Sequence, residues 1–285
     1  PFETTSLSEY HLGLYGLTAP LQLLANLPAK STLLWMAQFL NGICGIGVFL
    51  ILDKKVSRTA GLAGMVTAGL LSFQPALYFS WGRFTQLGSQ VILFQAVLIF
   101  WLIIEDWNDN QSLKVWNNWT QLFLVAMTCA AMALIHFRVA AFALPLFLII
   151  FLWEMVRTDK SQLSRKFTLI FTLIVFIVTL VLILPALIPG LSGYLAPKDA
   201  IDPSLIREVE GSYFGGFSWK TFFVLGLHKW LAILSFLGFG VGIFRSKTRL
   251  LSIFMAFWCI ALLGEGYLYQ TGIGKLAFAN LTGIM

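Results

Sequence analysis

Phe167-Thr-Leu-Ile-Phe-Thr-Leu-Ile-Val-Phe-Ile-Val-Thr-Leu-Val-Leu-Ile-Leu-Pro-Ala-Leu-Ile-Pro-Gly190 is a run of 24 residues without one ionisable side chain. About 20 apolar residues suffice to carry an α-helix through the hydrocarbon core of a bilayer. In that core every backbone donor and acceptor must be satisfied within the segment, so the run reads as helix and an open sheet is excluded. Similar runs lie outward from it at 32–52, 59–79, 87–104, 119–136, 138–156, 222–244 and 250–268. The expected fold is an all-α, polytopic membrane bundle of about eight spans, with residues 1–285 as a single transmembrane domain.

Composition agrees with lipid as the solvent. The chain is 58% hydrophobic and 11% charged, against roughly 25% charged residues in soluble domains, and its mean hydropathy is +0.83. A net charge of +6 in such a chain reflects topology and contact with anionic membrane lipids, not nucleic acid. Cys44, Cys129 and Cys259 sit in separate apolar runs, a spacing that fits core thiols and neither a metal site nor a disulfide framework. The chain opens on Pro1 without a signal-like segment, and reads as a piece of a longer protein.

Length arguments locate the reversals. A helix from Trp119 to Val156 would be about 57 Å long, far more than the hydrocarbon thickness, so the chain must turn back near His136 to Arg138. The same reasoning demands a break at Ser80 to Gln86. Orientation follows from the basic residues: the connections 53–58, 157–166 and 245–249 carry Lys54, Lys55, Arg58, Arg157, Lys160, Arg165, Lys166, Arg245, Lys247 and Arg249. Parity puts all three on one side, together with the acidic connection 105–118, and the positive-inside rule makes that side cytoplasmic. Residues 1–31, 80–86, 136–138, 191–221 and the tail after Glu265 then face outward, with 191–221 as an extended outer loop. Residues 10–29 are apolar enough to span, but contain His11, Gln22, Asn26 and several Pro or Gly interruptions. They read as an interfacial helix in or dipping into the outer leaflet.

Some patterns are structural. In Gly272-Ile-Gly274-Lys275, Tyr269 stands where a phosphate loop needs its first Gly, and Leu276 replaces the Ser or Thr. Asp199 and Asp202 resemble a metal-binding pair, but Asp202-Pro203 reads better as an N-cap followed by Pro at the first helical position. Gly238 with Gly242, and the series Ala60, Gly64, Ala68, are small residues at four-residue spacing that let helices approach closely.

The chemistry concentrates at the outer ends of spans. Trp81-Gly82-Arg83 and His136-Phe137-Arg138 each fall where one apolar run gives way to the next. Arg83 and Arg138 offer planar forks of donors suited to a phosphate, and His136 can donate to the same group or move a proton. Taken singly, each Arg could snorkel to headgroups at a helix end; two clusters on one face favour a shared anion site. His228 and Lys229 lie about ten residues inside an apolar stretch, where ionisable groups usually face a cavity or mark function. Alternatively, residues 213–229 form an interfacial helix and the span starts at Trp230. Pro75, Pro145, Pro185 and Pro189 are expected to interrupt spans in their outer halves and splay them around a pocket.

In the order of these features the chain resembles the multi-spanning GT-C glycosyltransferases, which include protein O-mannosyltransferases and lipid A aminoarabinose transferases. The resemblance rests on Tyr10-His11-Leu-Gly13 opening a short outer helix, a span ending Asp53-Lys54-Lys55, and a span beginning Thr59-Ala-Gly61-Leu-Ala63. It continues through the Ser80-Trp-Gly-Arg83-Phe-Thr-Gln86 and His136-Phe-Arg138 turns to a long span ending Leu184-Pro185, and covers roughly residues 10–229. It implies a plasma-membrane transferase that moves a sugar from a polyprenyl-phosphate carrier to an acceptor on the extracytoplasmic face, with the lipid-linked sugar as substrate. Arg83, His136 and Arg138 fill the implied carrier-phosphate role, and the candidate substrate-binding residues altogether are His11, Arg83, Gln86, His136, Arg138, His228 and Lys229. The family's first span and most of its first outer loop, home of the catalytic carboxylate, would precede Pro1, which leaves Glu3 and Glu9 as the acids nearest that role. A transporter or flippase for a lipid-linked or amphipathic anion is the alternative; it would add a second, inward-facing polar cavity.

Overall fold

The computed structural model describes residues 12–72, 84–109, 115–156, 162–195 and 229–270, and among them there is no strand. The helices are α1 (Leu12–Ala25), α2 (Ala29–Lys55), α3 (Arg58–Val66, continued by a π-helical turn over Thr67–Leu71), α4 (Phe84–Asp109), α5 (Val115–Ile135), α6 (Phe137–Val156), α7 (Gln162–Leu195), α8 (Lys229–Phe244) and α9 (Ser246–Gln270). The fold is all-α. Among the described residues, four segments are long and apolar enough to cross a membrane: Ala29–Lys55, Phe84–Glu105, Phe137–Val156 and Arg165–Ile188. Trp119–Ile135 and Ile233–Phe244 are apolar but shorter.

α4 is the central element. Two-thirds of its apolar stretch is buried, against 22% for α2 and α7. Leu93, Val97, Phe100, Trp101 and Ile104 recur on it at helical spacing and pack against Val125 of α5, Ala143, Leu146 and Ile150 of α6, Phe171 of α7 and Phe254 of α9. Phe100 anchors this core, edge-on to Phe147 at 5.2 Å and tilted against Phe171 at 6.3 Å. Such ring pairs prefer edge and offset geometry because a negative ring face attracts a positive ring edge.

Side-chain contacts fix the helix directions. Gly88 of α4 lies beside Leu40 of α2, Gly47 beside Phe94, and Lys55 beside Glu105, so α2 and α4 run the same way. Phe254 touches Trp101 and Trp153, while Trp258 touches Phe94 and donates its Nε1 to the carbonyl of Phe142 at 2.6 Å. Thus α4 and α6 are parallel and α9 opposes both. α5 opposes α4, because Ser89, near the start of α4, meets Met132, near the end of α5. Both reversals that length demanded, between α3 and α4 and at His136, are therefore present.

The small-residue reading holds in part. A Cβ on Gly61 would stand 2.9 Å from the carbonyl oxygen of Phe49, and one on Gly64 would collide with Leu52, so the α2–α3 hairpin closes on these glycines. Its turn is capped by Ser57, whose hydroxyl accepts from the Ala60 N–H at 3.2 Å, satisfying one of the donors a helix start leaves open. Gly242 lies against Ser252 of α9, but Gly238 faces open space.

Several expectations are corrected. The 59–79 run is not one unbroken helix: the helix that opens it stops at Leu71, with Ser72 extended at φ −75° and ψ 133°. Pro75 accounts for this, because in a continuing helix its ring would clash with the carbonyl four residues back, that of Leu71. Pro145, Pro185 and Pro189 do not interrupt their helices. In packed apolar helices, neighbouring groups and local adjustment re-satisfy the freed carbonyls. α7 runs on to Leu195, so residues 191–195 of the loop placed at 191–221 are helical; residues 196–228 lie outside the described residues, and with them the Asp199 and Asp202 pair and residues 213–228, on which both readings of 213–229 rest. The Gly272 to Lys275 stretch lies outside them too. Nor are the cysteines all core thiols: Cys44 and Cys129 are half-buried and Cys259 is exposed.

Within the segment at 10–29, residues 12–28 form a separate short helix, α1, and a turn. Asn26 takes a left-handed φ of 49°, and the N–H of Leu27 reaches back to the carbonyl of Gln22 at 3.3 Å, the usual way such a residue closes a helix end. Pro28 then leads into α2. Leu14 and Thr18 of α1 are buried, whereas Leu17, Leu21, Leu23 and Leu24 are exposed.

Candidate functional site

His136 is the one residue between α5 and α6, and its peptide serves both helices. Its N–H donates to the Met132 carbonyl at 3.0 Å, closing α5, and its own carbonyl accepts from Val139 at 3.1 Å and Ala140 at 3.4 Å, opening α6. The antiparallel chain thus turns on a single residue that is only 8% exposed. Such a tight reversal is held from outside. From α4, the hydroxyl of Ser89 donates to the Met132 carbonyl at 2.8 Å and lies 3.5 Å from that of His136. From α1, Gly13 sits so close that a Cβ there would be 2.6 Å from the carbonyl carbon and oxygen of Leu134. Only a residue without a side chain permits that approach.

Four helices therefore converge on this reversal, and they gather much of what was singled out from sequence. Arg138 occupies the first turn of α6, half-buried, with Nε and Nη2 shielded from solvent, as is Nδ1 of His136. Gln86 is half-buried in the first turn of α4, the turn before Ser89. The start of α6 adds the positive end of a helix dipole. A guanidinium, an imidazole and a helix start at one end of the bundle are groups chemically suited to an oxyanion, above all to a phosphate that can accept several donors. Glu3, Glu9, His11, Arg83 and His228 lie outside the described residues. Lys229 opens α8, a helix whose packing within the bundle is against α9. Ser89 was missed, since one serine in an apolar run carries no signal until the neighbouring helix end is known.

At the opposite end of α4 the chemistry differs. The ammonium of Lys55, at the end of α2, forms an ion pair with Glu105 and stands 3.7 Å from the ring centroid of Trp101. Glu154, in the last turn of α6, is fully buried, and Nε of Arg165, at the start of α7, is shielded from solvent. Read from sequence, Lys55 was only a marker of topology. Its pairing was foreshadowed, because the parity argument brought the connections after α2 and after α4 to the same side. Among the described residues, no group of three or more His, Cys, Asp or Glu side chains is placed to hold a metal ion.

The chain matches no protein-family model, no curated protein and no solved structure.

Proposed function

We propose that this chain is a membrane-embedded module that grips the phosphate of a lipid-linked substrate at the α5–α6 reversal, as part of a polyprenyl-phosphate-dependent glycosyltransferase. The observation that carries the reading is the convergence of His136, Arg138, Gln86 and the start of α6 at one end of a strongly apolar bundle. A phosphate attached to a hydrocarbon chain would meet donors at this end and apolar helix faces alongside. In a transfer reaction, the same donors would stabilise the charge that develops on the departing phosphate. α1, apolar and exposed on one side, would lie at the membrane surface beside the site.

The reversal would face outward and the other end the cytoplasm, in the plasma membrane. Support comes from where basic residues fall: Lys54 and Lys55 end α2, Arg58 starts α3, Arg165 and Lys166 start α7, and Arg245 and Lys247 flank the α8–α9 turn. The eight-span topology is part of the same proposal. It favours a transferase over a transporter that Lys55, Glu105 and Trp101 tie the basic end together, where alternating access would call for an opening.

The test is binding of farnesyl phosphate and farnesol to the purified chain in nanodiscs. Phosphate-dependent binding is expected, falling by about tenfold or more in Arg138→Ala and in His136→Ala, the loss typical of removing a charged donor from a buried contact. Equal affinity for the alcohol and the phosphate, or wild-type affinity in both variants, overturns the reading.

A further inference from the structure

Ser89 is completely buried, yet its side chain spends its hydrogen bond on another helix. In an apolar helix a serine usually satisfies its hydroxyl on its own carbonyl one turn back. Here Oγ reaches across to α5, donating to Met132 O at 2.8 Å and standing 3.5 Å from His136 O. Those two carbonyls mark the end of one helix and the start of the next. The Met132 carbonyl already accepts the His136 N–H, and the His136 carbonyl accepts the N–H groups of Val139 and Ala140 in the first turn of α6. Gly88, the preceding residue, touches the Ile135 side chain and lets α4 approach, since a Cβ there would lie 3.3 Å from Ile135 Cγ2.

We propose that Ser89 is a positioning residue: its hydroxyl pins the turn at His136, so that the imidazole of His136 and the guanidinium of Arg138 are presented together. The inference rests on the phosphate-binding reading of the reversal, and assigns Ser89 no contact with substrate. The reason is geometric. A reversal made by one residue leaves few ways to define the relative direction of α5 and α6, and a polar contact inside an apolar bundle has no water to replace it. Without the hydroxyl the two helix ends can rotate against each other, and the side chains of His136, at the pinned turn, and Arg138, two residues beyond it, diverge.

A double-mutant cycle on the full chain in nanodiscs tests this, with farnesyl phosphate as probe and thermal unfolding measured alongside. Ser89→Ala is expected to weaken binding by about tenfold while leaving farnesol binding unchanged. In an Arg138→Lys background, where the planar fork is already lost, adding Ser89→Ala is expected to cost little more, because the two changes act on one arrangement. Ser89→Cys, similar in size with a weaker donor, should fall between wild type and Ser89→Ala, and serves as the probe if the alanine variant does not fold. Wild-type affinity in Ser89→Ala or Ser89→Cys overturns the positioning role. So does an undiminished tenfold loss in the Arg138→Lys background, which would mean general loosening. If instead Arg138→Lys and Arg138→Ala bind as wild type, the phosphate site itself fails, whatever Ser89 does.

Discussion

The two ends of α4 are held together by different kinds of contact. At the basic end, Lys55 is paired with Glu105 and covered by Trp101: a cation, its counter-charge and a ring close on one another. At the reversal end, the contacts that hold the turn at His136 run through backbone carbonyls and a serine hydroxyl. Charge neutralised within the protein serves cohesion. On the proposed reading, Arg138 beside a helix start is held for an incoming anion.

The comparison breaks most visibly at Trp101, which is 2% exposed and packs on Phe254 at 5.1 Å. Trp101→Ala should cost about 3–5 kcal/mol by cavity formation, read as a fall in melting temperature in detergent, with farnesyl phosphate affinity in the folded fraction unchanged. A matching loss of affinity would show that the ends are not separable. Next comes Gly13→Val, which drives α1 off the backbone of Leu134 at about 1–3 kcal/mol. Unlike the Trp101 change it should weaken phosphate binding too, because the displaced helix is one of those holding the reversal.

Glu105→Gln removes the counter-charge from Lys55. The pair is partly exposed, so about 1 kcal/mol is expected, and the difference from wild type should shrink as salt is added; a salt-independent loss would mean that packing, not charge, joins α2 to α4. Smallest is Asn26. Its left-handed backbone makes Asn26→Ala cost about 0.5–1 kcal/mol, while Asn26→Gly should be neutral or stabilising. Equal melting temperatures for the two would argue that the α1–α2 turn relaxes.

The sequence alone determined the helical class and the two reversals, and it proposed a sidedness from the basic residues. Each follows from one-dimensional constraints: backbone satisfaction in an apolar medium, the length of a helix against the thickness of a bilayer, and the spacing of charges along the chain. It also brought His136 and Arg138 forward, because ionisable residues at a forced turn stand out against their surroundings. The tertiary structure decided where helices end when proline is involved. Pro75 follows the end of α3 while Pro145 sits inside α6, because a freed carbonyl is tolerated only where neighbours can absorb it. It decided that Lys55 and Glu105, 50 residues apart, are partners, and that Gly13 and Ser89 hold the turn at His136. Those roles belong to pairs of surfaces, and a contact between distant segments leaves no mark on either segment until the packing that joins them is known.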